Sequence, residues 1–459
     1  MPKIANETDA QYKRRVIDIK SASFCAAKWY NATIWLGSGQ TTSCHHPLPH
    51  QIDADAALIN PKAIHNTPRK KEERAMMQQG ERPSGCEYCW KIEDIAMEPD
   101  HVLNGDEIIS DRVYKTVIYE DKDLDEAFNT RPEQDVNLQT LEIAFDRTCQ
   151  FACSYCNPAF STTWVRDIHR NGPYTNLVSD GRNHFTHEHG SSQLYTINDV
   201  NPYVEAFFQW WESDLHKTLK ELRITGGEPL MSGYTWRLID WFQENRGKSA
   251  TRLAINSNLG FDKDKIERLL DATQGIELDL YTSNESIGQH AVYIRDGLDW
   301  DQWCDNITYL LDSGKLRGLH VMCTINALCL ISLAEFLWMI VELKKKYGKD
   351  SINFSLNILR FPSFQSPLIL PIEMREHFAS QLDYVYDNMR NANICHEFEL
   401  NQLNRLVDYL RTVDSPHSGA LSREILQRDF KNFYDQYDQR RGKDFRHTFP
   451  QLTEWYDKL

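Results

Sequence analysis

Three cysteines, Cys149, Cys153 and Cys156, stand at C-x3-C-x2-C spacing within LEIAFDRTCQFACSYCNPAF. Thiolates that close together on one loop can face a single metal centre. A four-iron cluster takes four ligands, so three cysteines leave one iron open to another molecule. A zinc site usually shows paired C-x2-C knuckles, and no clear partner pair lies nearby. A second set, Cys25, Cys44, Cys86 and Cys89, has the spacing C-x18-C-x41-C-x2-C. Four thiolates fully ligate either tetrahedral zinc or a four-iron cluster, so the residue types leave both open, with spacing slightly on the side of zinc. The other four of the eleven cysteines are scattered. Cys304, on a helical repeat, and Cys323, in a strand, read as core thiols. Cys329 follows a strand end and could face an active site, and Cys395 stands alone.

The elements that must position these residues follow from periodicity. Strand-like runs lie at Thr140–Asp146, Glu221–Thr225, Arg252–Asn256, Ile276–Tyr281, Leu319–Ile325 and Ile352–Ile358, with helical stretches between them. Asp299 can cap a helix with Gln302 three residues on, and Trp300, Trp303, Cys304, Ile307, Leu310 and Leu311 repeat at helical spacing up to Gly314. A second helix starts at Ser332, buries Leu333, Phe336, Leu337, Ile340 and Val341, and closes on Lys344–Lys346 and Gly348. Six strands alternating with helices predict an α/β fold, a parallel (β/α)6 TIM-like barrel, closed or partial, with the three-cysteine loop at the end of its first strand, where such folds place their chemistry. A polar insert at 171–193 interrupts the first crossover and reads as a solvated loop or lid. Near the N-terminus, an apolar run Ala32–Leu36 and a Gly-Ser-Gly turn at Gly37–Gly39 predict a hairpin that brings Cys25 and Cys44 together. The chain thus divides into a small N-terminal hairpin domain that carries the four-cysteine set (1–135), the barrel (136–370) and a helical C-terminal segment (371–459).

Residues 140–360 resemble the radical SAM superfamily. Its C-x3-C-x-aromatic-C signature is matched by Cys149, Cys153, Tyr155 and Cys156, and its GGEP motif by Gly226, Gly227, Glu228 and Pro229 after ELRIT. The resemblance implies a four-iron–four-sulfur cluster on the three cysteines, with the amino and carboxylate groups of S-adenosylmethionine on the open iron. An electron would cleave the sulfonium bond, giving a 5′-deoxyadenosyl radical that abstracts a substrate hydrogen. It also implies roles for individual residues. The two glycines would let backbone approach the ligand, Glu228 would receive the ammonium, and Arg295 would hold the carboxylate. Tyr155 would sit near adenine, with Asn256 or Ser257 at the ribose. The four-cysteine set resembles the twitch domain, a shorter relative of the SPASM domain that binds an auxiliary four-iron cluster. In that family the domain follows the barrel; here it precedes it. Such a cluster, with no open iron, would favour electron transfer, so that hydrogen abstraction, proton loss and electron transfer add up to an oxidation. That step needs a base, which the sequence does not identify. The expected substrate is a peptide or protein to be oxidised or cross-linked, the alternative a sugar-like or nucleotide small molecule. The expected electron donor is a flavodoxin or ferredoxin. A third alternative is an iron–sulfur or zinc protein that only binds.

Composition sets the outer bounds. The 459 residues are 41% hydrophobic and 25% charged, an ordinary globular mixture that excludes long disorder, collagen-like repeats and a disulfide miniprotein. With 51 basic against 66 acidic residues, the net charge of −15 argues against broad nucleic-acid binding and mildly favours a basic peptide. The most apolar stretch, Val321–Val341, is broken by Thr324, Asn326, Ser332 and Glu335, so no membrane span is expected. The N-terminus lacks the apolar segment of a signal peptide, and the expected location is cytoplasmic. His184, His187 and His189 cluster in HFTHEHG, inside the polar insert, and His45, His46 and His50 follow Cys44. The basic runs Arg69–Arg74 and Arg440–Lys443 read as solvated faces.

Overall fold

The structure is a computed structural model that describes residues 4, 6–95, 109–179, 183–196, 199–412 and 422–459. Residues 180–182 of the expected insert and 413–421 of the helical tail lie outside the described residues. The described residues form eleven strands: β1 (Asn31–Trp35), β2 (Gln40–Thr42), β3 (His50–Gln51), β4 (Thr140–Ala144), β5 (Ala152–Cys153), β6 (Glu221–Thr225), β7 (Arg252–Ser257), β8 (Leu278–Ser283), β9 (Arg295–Asp296), β10 (Gly318–Ile325) and β11 (Ile352–Ile358). All six strand runs read from the sequence are strands. Two compact units emerge, one of residues 1–145, 194–223 and 247–252, the other of residues 146–193, 224–246 and 253–459.

In the first unit the expected hairpin is present. β1 buries Ala32 and Ile34 and turns Asn31, Thr33 and Trp35 to the other face. β2 returns antiparallel, with Trp35 opposite Gln40, after a turn in which Gly39 takes φ +64°. The other edge of β1 pairs parallel with β4, from Asn31 opposite Thr140 to Trp35 opposite Ala144. This pairing was not foreseen, because period-two burial shows a strand's faces and not its neighbour.

The helix Pro68–Gln78 corrects the reading of the basic run. Thr67 caps it by accepting from Lys70 N, and its buried face is Lys70, Glu73, Arg74 and Met77. That i, i+3, i+4, i+7 set is a core stripe that happens to carry charges. Lys70 Nζ donates to Thr41 Oγ1 at 2.8 Å, and Arg74 donates to Lys28 O and Asn66 Oδ1, each at 2.9 Å. Burial is tolerated because those donors find acceptors.

In the second unit β7, β8, β10 and β11 are neighbours in that order, all parallel. The helix Trp300–Ser313 begins as expected, with Asp299 accepting from Gln302 N, and stops at Gly314. Its buried face takes Asn306 with Trp303, Ile307 and Leu310, while Cys304 is only half-buried. Ser332 precedes the helix Leu333–Tyr347 without a side-chain cap bond. The tail is helical: Ile372–Asn391, Glu397–Leu410, Arg423–Arg441, Phe445–Thr448 and Thr453–Asp457.

The insert is not simply solvated. Tyr174 and Phe185 are buried, their ring centroids 4.9 and 4.6 Å from that of Phe433. The second basic run is also largely buried. Arg441 pairs with Asp296 at 3.1 Å, Lys443 with Asp296 at 2.9 Å, and the Arg440 guanidinium lies 3.8 Å from the centre of the Tyr174 ring. Aromatic faces and the carboxylates of Asp296 and Asp167 take the role assigned to solvent. Among the described residues, no helix is long and apolar enough to cross a membrane.

Candidate metal centres

The three-cysteine loop is held from both sides. On one side, the helix Thr162–Asn171 supplies hydroxyls. Cys149 N donates to Thr162 Oγ1 at 3.1 Å, Thr163 Oγ1 donates to Cys149 O at 2.8 Å, and Trp164 Nε1 donates to Cys153 O at 3.0 Å. On the other side β5 pairs antiparallel with β9, placing Cys153 opposite Arg295 and Ala152 opposite Asp296. Ser154 N donates to Ile294 O at 2.7 Å, and Gln365 Nε2 donates to Ser154 O at 2.9 Å. The tail adds Tyr434, whose hydroxyl donates to Ser154 Oγ at 3.3 Å.

Cys149 is buried, and Cys153 and Cys156 are half-buried. Burial pushes the Cys149 thiol up to about 12, with Cys153 adding to the effect, and raises Cys153 and Cys156 as well.

GGEP sits against this loop. Glu228 N donates to Thr148 O at 2.6 Å and Gly227 N to Asp146 O at 3.3 Å. Gly226 has φ +127°, and a Cβ on Gly227 would collide with the Thr148 carbonyl oxygen. The glycines therefore let the loop pack on its own backbone. Glu228 is buried, accepting from Leu230 N at 3.1 Å and from Asn258 N at 2.6 Å. Burial raises its carboxyl to about 7, against the lowering effect of those backbone donors.

Arg295 is less free than the sequence suggests. Its Nη2 donates to Glu285 Oε2 at 2.5 Å, its Nη1 to Cys153 Sγ at 3.8 Å, and its guanidinium lies 5.5 Å from the Tyr155 ring centre. Burial opposes its charge, but Glu285 more than offsets this and leaves its pKa raised. Tyr155 donates its hydroxyl to Glu285 Oε1 at 3.1 Å. Glu285, which sequence reading missed, thus ties Tyr155 and Arg295 together. The available signal was an acidic residue just past the end of β8, in TSNES. Asp146 was missed too; it accepts from Thr148 N at 2.8 Å and Ser232 Oγ at 2.6 Å.

Several buried polar atoms here lack a protein partner: Asn256 Oδ1, Asn284 Nδ2, Ser286 Oγ, Arg295 Nε and Gln365 Oε1. Asn256 lies in the last turn of β7, and Asn284 and Ser286 lie just past β8. Ser257 is committed, since its Oγ accepts from Leu259 N at 3.1 Å. Orphaned polar groups at strand ends cost free energy unless something polar binds there. The residues present fit a polar, zwitterionic ligand beside the three thiols. Cys329 does not join them, because its Sγ donates to Asn326 O at 3.2 Å.

The first unit holds the second cysteine set. Cys25, Cys44, Cys86 and Cys89 line one cavity with Lys28, Met77, Trp90 and Arg112. Cys25, Cys86 and Cys89 are buried and Cys44 is half-buried. Burial pushes Cys86 up to about 12 and Cys89 to about 11. Among the described residues, the one group of three ligand atoms within 4.8 Å of one another is His45, His46 and Asp111. In the His45 trio, His46 Nε2 is 2.8 Å from Asp111 Oδ2, and its ring stacks on Tyr88 at 3.8 Å. His189 Nε2 is 2.7 Å from Asn183 O, and His187 meets Thr186.

The chain is similar to two solved structures of SuiB from Streptococcus suis. The one bound to S-adenosylmethionine is 14% identical, covering 75% of this chain and 65% of that chain with a TM-score of 0.34. The other is 12% identical, covering 75% and 64% with a TM-score of 0.36. The chain thus spans a little under two thirds of SuiB's length. No family model and no curated protein matches the chain.

Proposed function

We propose that this chain is a radical SAM enzyme with a partial barrel and two iron–sulfur centres. The three-cysteine site would hold a four-iron cluster and S-adenosylmethionine, and the four-cysteine cavity an auxiliary four-iron cluster. The observation that carries this reading is the loop itself: Cys149, Cys153 and Cys156 braced on both flanks, with buried Glu228 against it and unpartnered polar atoms at the neighbouring strand ends. When bound and reduced, the cluster and S-adenosylmethionine would supply abstraction of a hydrogen atom from the substrate.

The chain's own residues do the positioning. Glu228, ionised, offers negative charge to an ammonium while its backbone donors hold the carboxylate in place. Arg295 braces Cys153 and is itself oriented by Glu285; its free Nε is the group left for a carboxylate. Asn256 Oδ1 is available to accept from a ribose hydroxyl. In the four-cysteine cavity, four thiols from three separate segments supply the full ligand set of a four-iron cluster.

The reaction is an oxidation or cross-link of a peptide or protein, with a small reducing protein of the flavodoxin or ferredoxin kind as electron donor. One observation favours a small molecule instead: a cavity of about 400 Å³ in the first unit, lined by Asn31, Thr33, Cys44, Glu142, Glu221 and Arg223. Size-fractionated extract separates the two readings by which fraction raises turnover. Anaerobic reconstitution tests the core claim. The wild type forms 5′-deoxyadenosine from S-adenosylmethionine under reduction, and the triple variant Cys149→Ala, Cys153→Ala, Cys156→Ala forms none while keeping about four irons. A wild type that loads iron and never cleaves S-adenosylmethionine leaves only the binding-protein reading.

A further inference from the structure

Among the described residues, the first unit buries four cations, Lys28, Lys70, Arg74 and Arg112, and three carboxylates, Glu73, Glu93 and Asp123. Lys28, Lys70 and Arg74 are all buried, and between them they have one buried carboxylate, Glu73. Arg112 and Glu93, also buried, cancel each other at 2.8 Å. Lys28 Nζ pairs with Glu73, and Glu73 is shared with Arg69 at 3.3 Å. Lys70 meets only neutral acceptors, Thr41 Oγ1, Thr42 O and His65 Nδ1. Burial holds the Lys70 ammonium well below its ordinary value, with Arg74 and Lys28 acting in the same direction, and burial lowers Arg74 as well. Buried charge of this kind is costly unless an anion is near, and four thiolates on an oxidised four-iron cluster would carry a net charge of about −2.

Lys28 is the member of this set that lines the cavity of the four cysteines. A cation at a cluster's edge stabilises the state with one more electron. We propose that Lys28, backed by Lys70 and Arg74, is the built-in counter-charge of the four-cysteine centre and sets its potential as an electron acceptor. This rests on the cluster reading above, and it assigns Lys28 a positioning and tuning role rather than a catalytic one.

The test is a potentiometric titration, followed by electron paramagnetic resonance. It uses the full-length Cys149→Ala, Cys153→Ala, Cys156→Ala protein, so that one cluster is observed. Lys28→Met is expected to lower the equilibrium constant for one-electron uptake at least tenfold, a fall of about 59 mV. Lys28→Arg keeps the charge and stays within about threefold of the parent. Glu73→Gln removes the compensating carboxylate and shifts the potential upward, a change of opposite sign that loss of packing does not mimic. Iron-loaded Lys28→Met with an unmoved potential overturns the proposal. If that variant does not load, an unmoved or lowered potential in Glu73→Gln overturns it. One zinc and no iron in the parent overturns the cluster reading itself, a failure told apart by metal content before any potential is measured.

Discussion

The two cysteine sites solve opposite electrostatic problems. The three-cysteine loop has one adjacent guanidinium, Arg295, already claimed by Glu285, and a second buried carboxylate, Glu228, with no cation bonded to it. The four-cysteine cavity is lined by Lys28 and Arg112, each paired with a buried carboxylate, and by Lys115 and Asp111. The first arrangement is incomplete without a ligand that brings its own positive charge, such as an ammonium or a sulfonium. The second is complete once its thiolates carry a metal core. One site is built to be finished by substrate; the other is built to hold charge. Both use burial to suppress thiol ionisation, so the difference lies in the neighbours and not in the cysteines.

The largest effect that can break this comparison comes from Arg295. Arg295→Met leaves Glu285 buried without its partner and is expected to destabilise the second unit by about 3–5 kcal/mol, read as a fall in the urea midpoint. The double variant Arg295→Met, Glu285→Leu is expected to recover most of that loss. If S-adenosylmethionine binding also recovers in the double variant, Arg295 is a brace for Tyr155 and Cys153 and its Nε holds no carboxylate.

Glu228 gives the next effect. Glu228→Gln keeps an acceptor for one backbone N–H but removes the charge, at a cost of about 1.5–3 kcal/mol in S-adenosylmethionine affinity, roughly ten- to a hundredfold. The pH dependence has a definite sign. Burial raises the folded carboxyl from 4.5 to about 7. The folded protein therefore holds this proton more tightly than the unfolded chain does. Glu228 favours folding at low pH, and that contribution is lost as pH rises from about 4.5 to about 7. Binding an ammonium needs the ionised form, so the thermal shift given by S-adenosylmethionine is expected to grow over the same window and level off above it. A flat ligand-induced shift between pH 5.5 and 8, a window of about this width, would remove Glu228 from the ammonium site.

Sequence made the two sites legible to different degrees, for a physical reason. Cys149, Cys153, Cys156 and the GGEP turn are local: spacing within a few residues fixes them on tight loops, and a strand before each places them. The strands were legible for the same reason, since alternation is a local property. Glu285 and the true partner of Arg295 were not, because Cys153 meets Arg295 only through pairing of β5 with β9, more than a hundred residues apart in the chain. The buried Lys70 and Arg74 were misread as solvated because a charge run is ordinarily a surface feature. Only the acceptors on β2 and on Asn66 reverse that expectation, and helical spacing does not report them. The insert was misread by composition: Tyr174 and Phe185 are two aromatics in a polar stretch, and they anchor it.

The smallest effect sharpens the contrast between loop and cavity at the backbone. Trp164 Nε1 donates to Cys153 O, and its ring packs on Phe185 and under Arg441. Trp164→Phe keeps an aromatic ring there and removes the donor, leaving the Cys153 carbonyl short of one bond at a cost of about 1 kcal/mol. Global stability is then nearly unchanged, while the three-cysteine site should release iron to a chelator severalfold faster than wild type. The four-cysteine centre should be unaffected, because its ligands come from separate segments whose fixation does not pass through this indole. Chelator kinetics on the doubly loaded protein therefore resolve into a fast phase that Trp164→Phe accelerates and a slow phase that it leaves alone. Acceleration of both phases by the same factor would mean that the two sites share one cooperative unfolding event, and that their independence is only geometric.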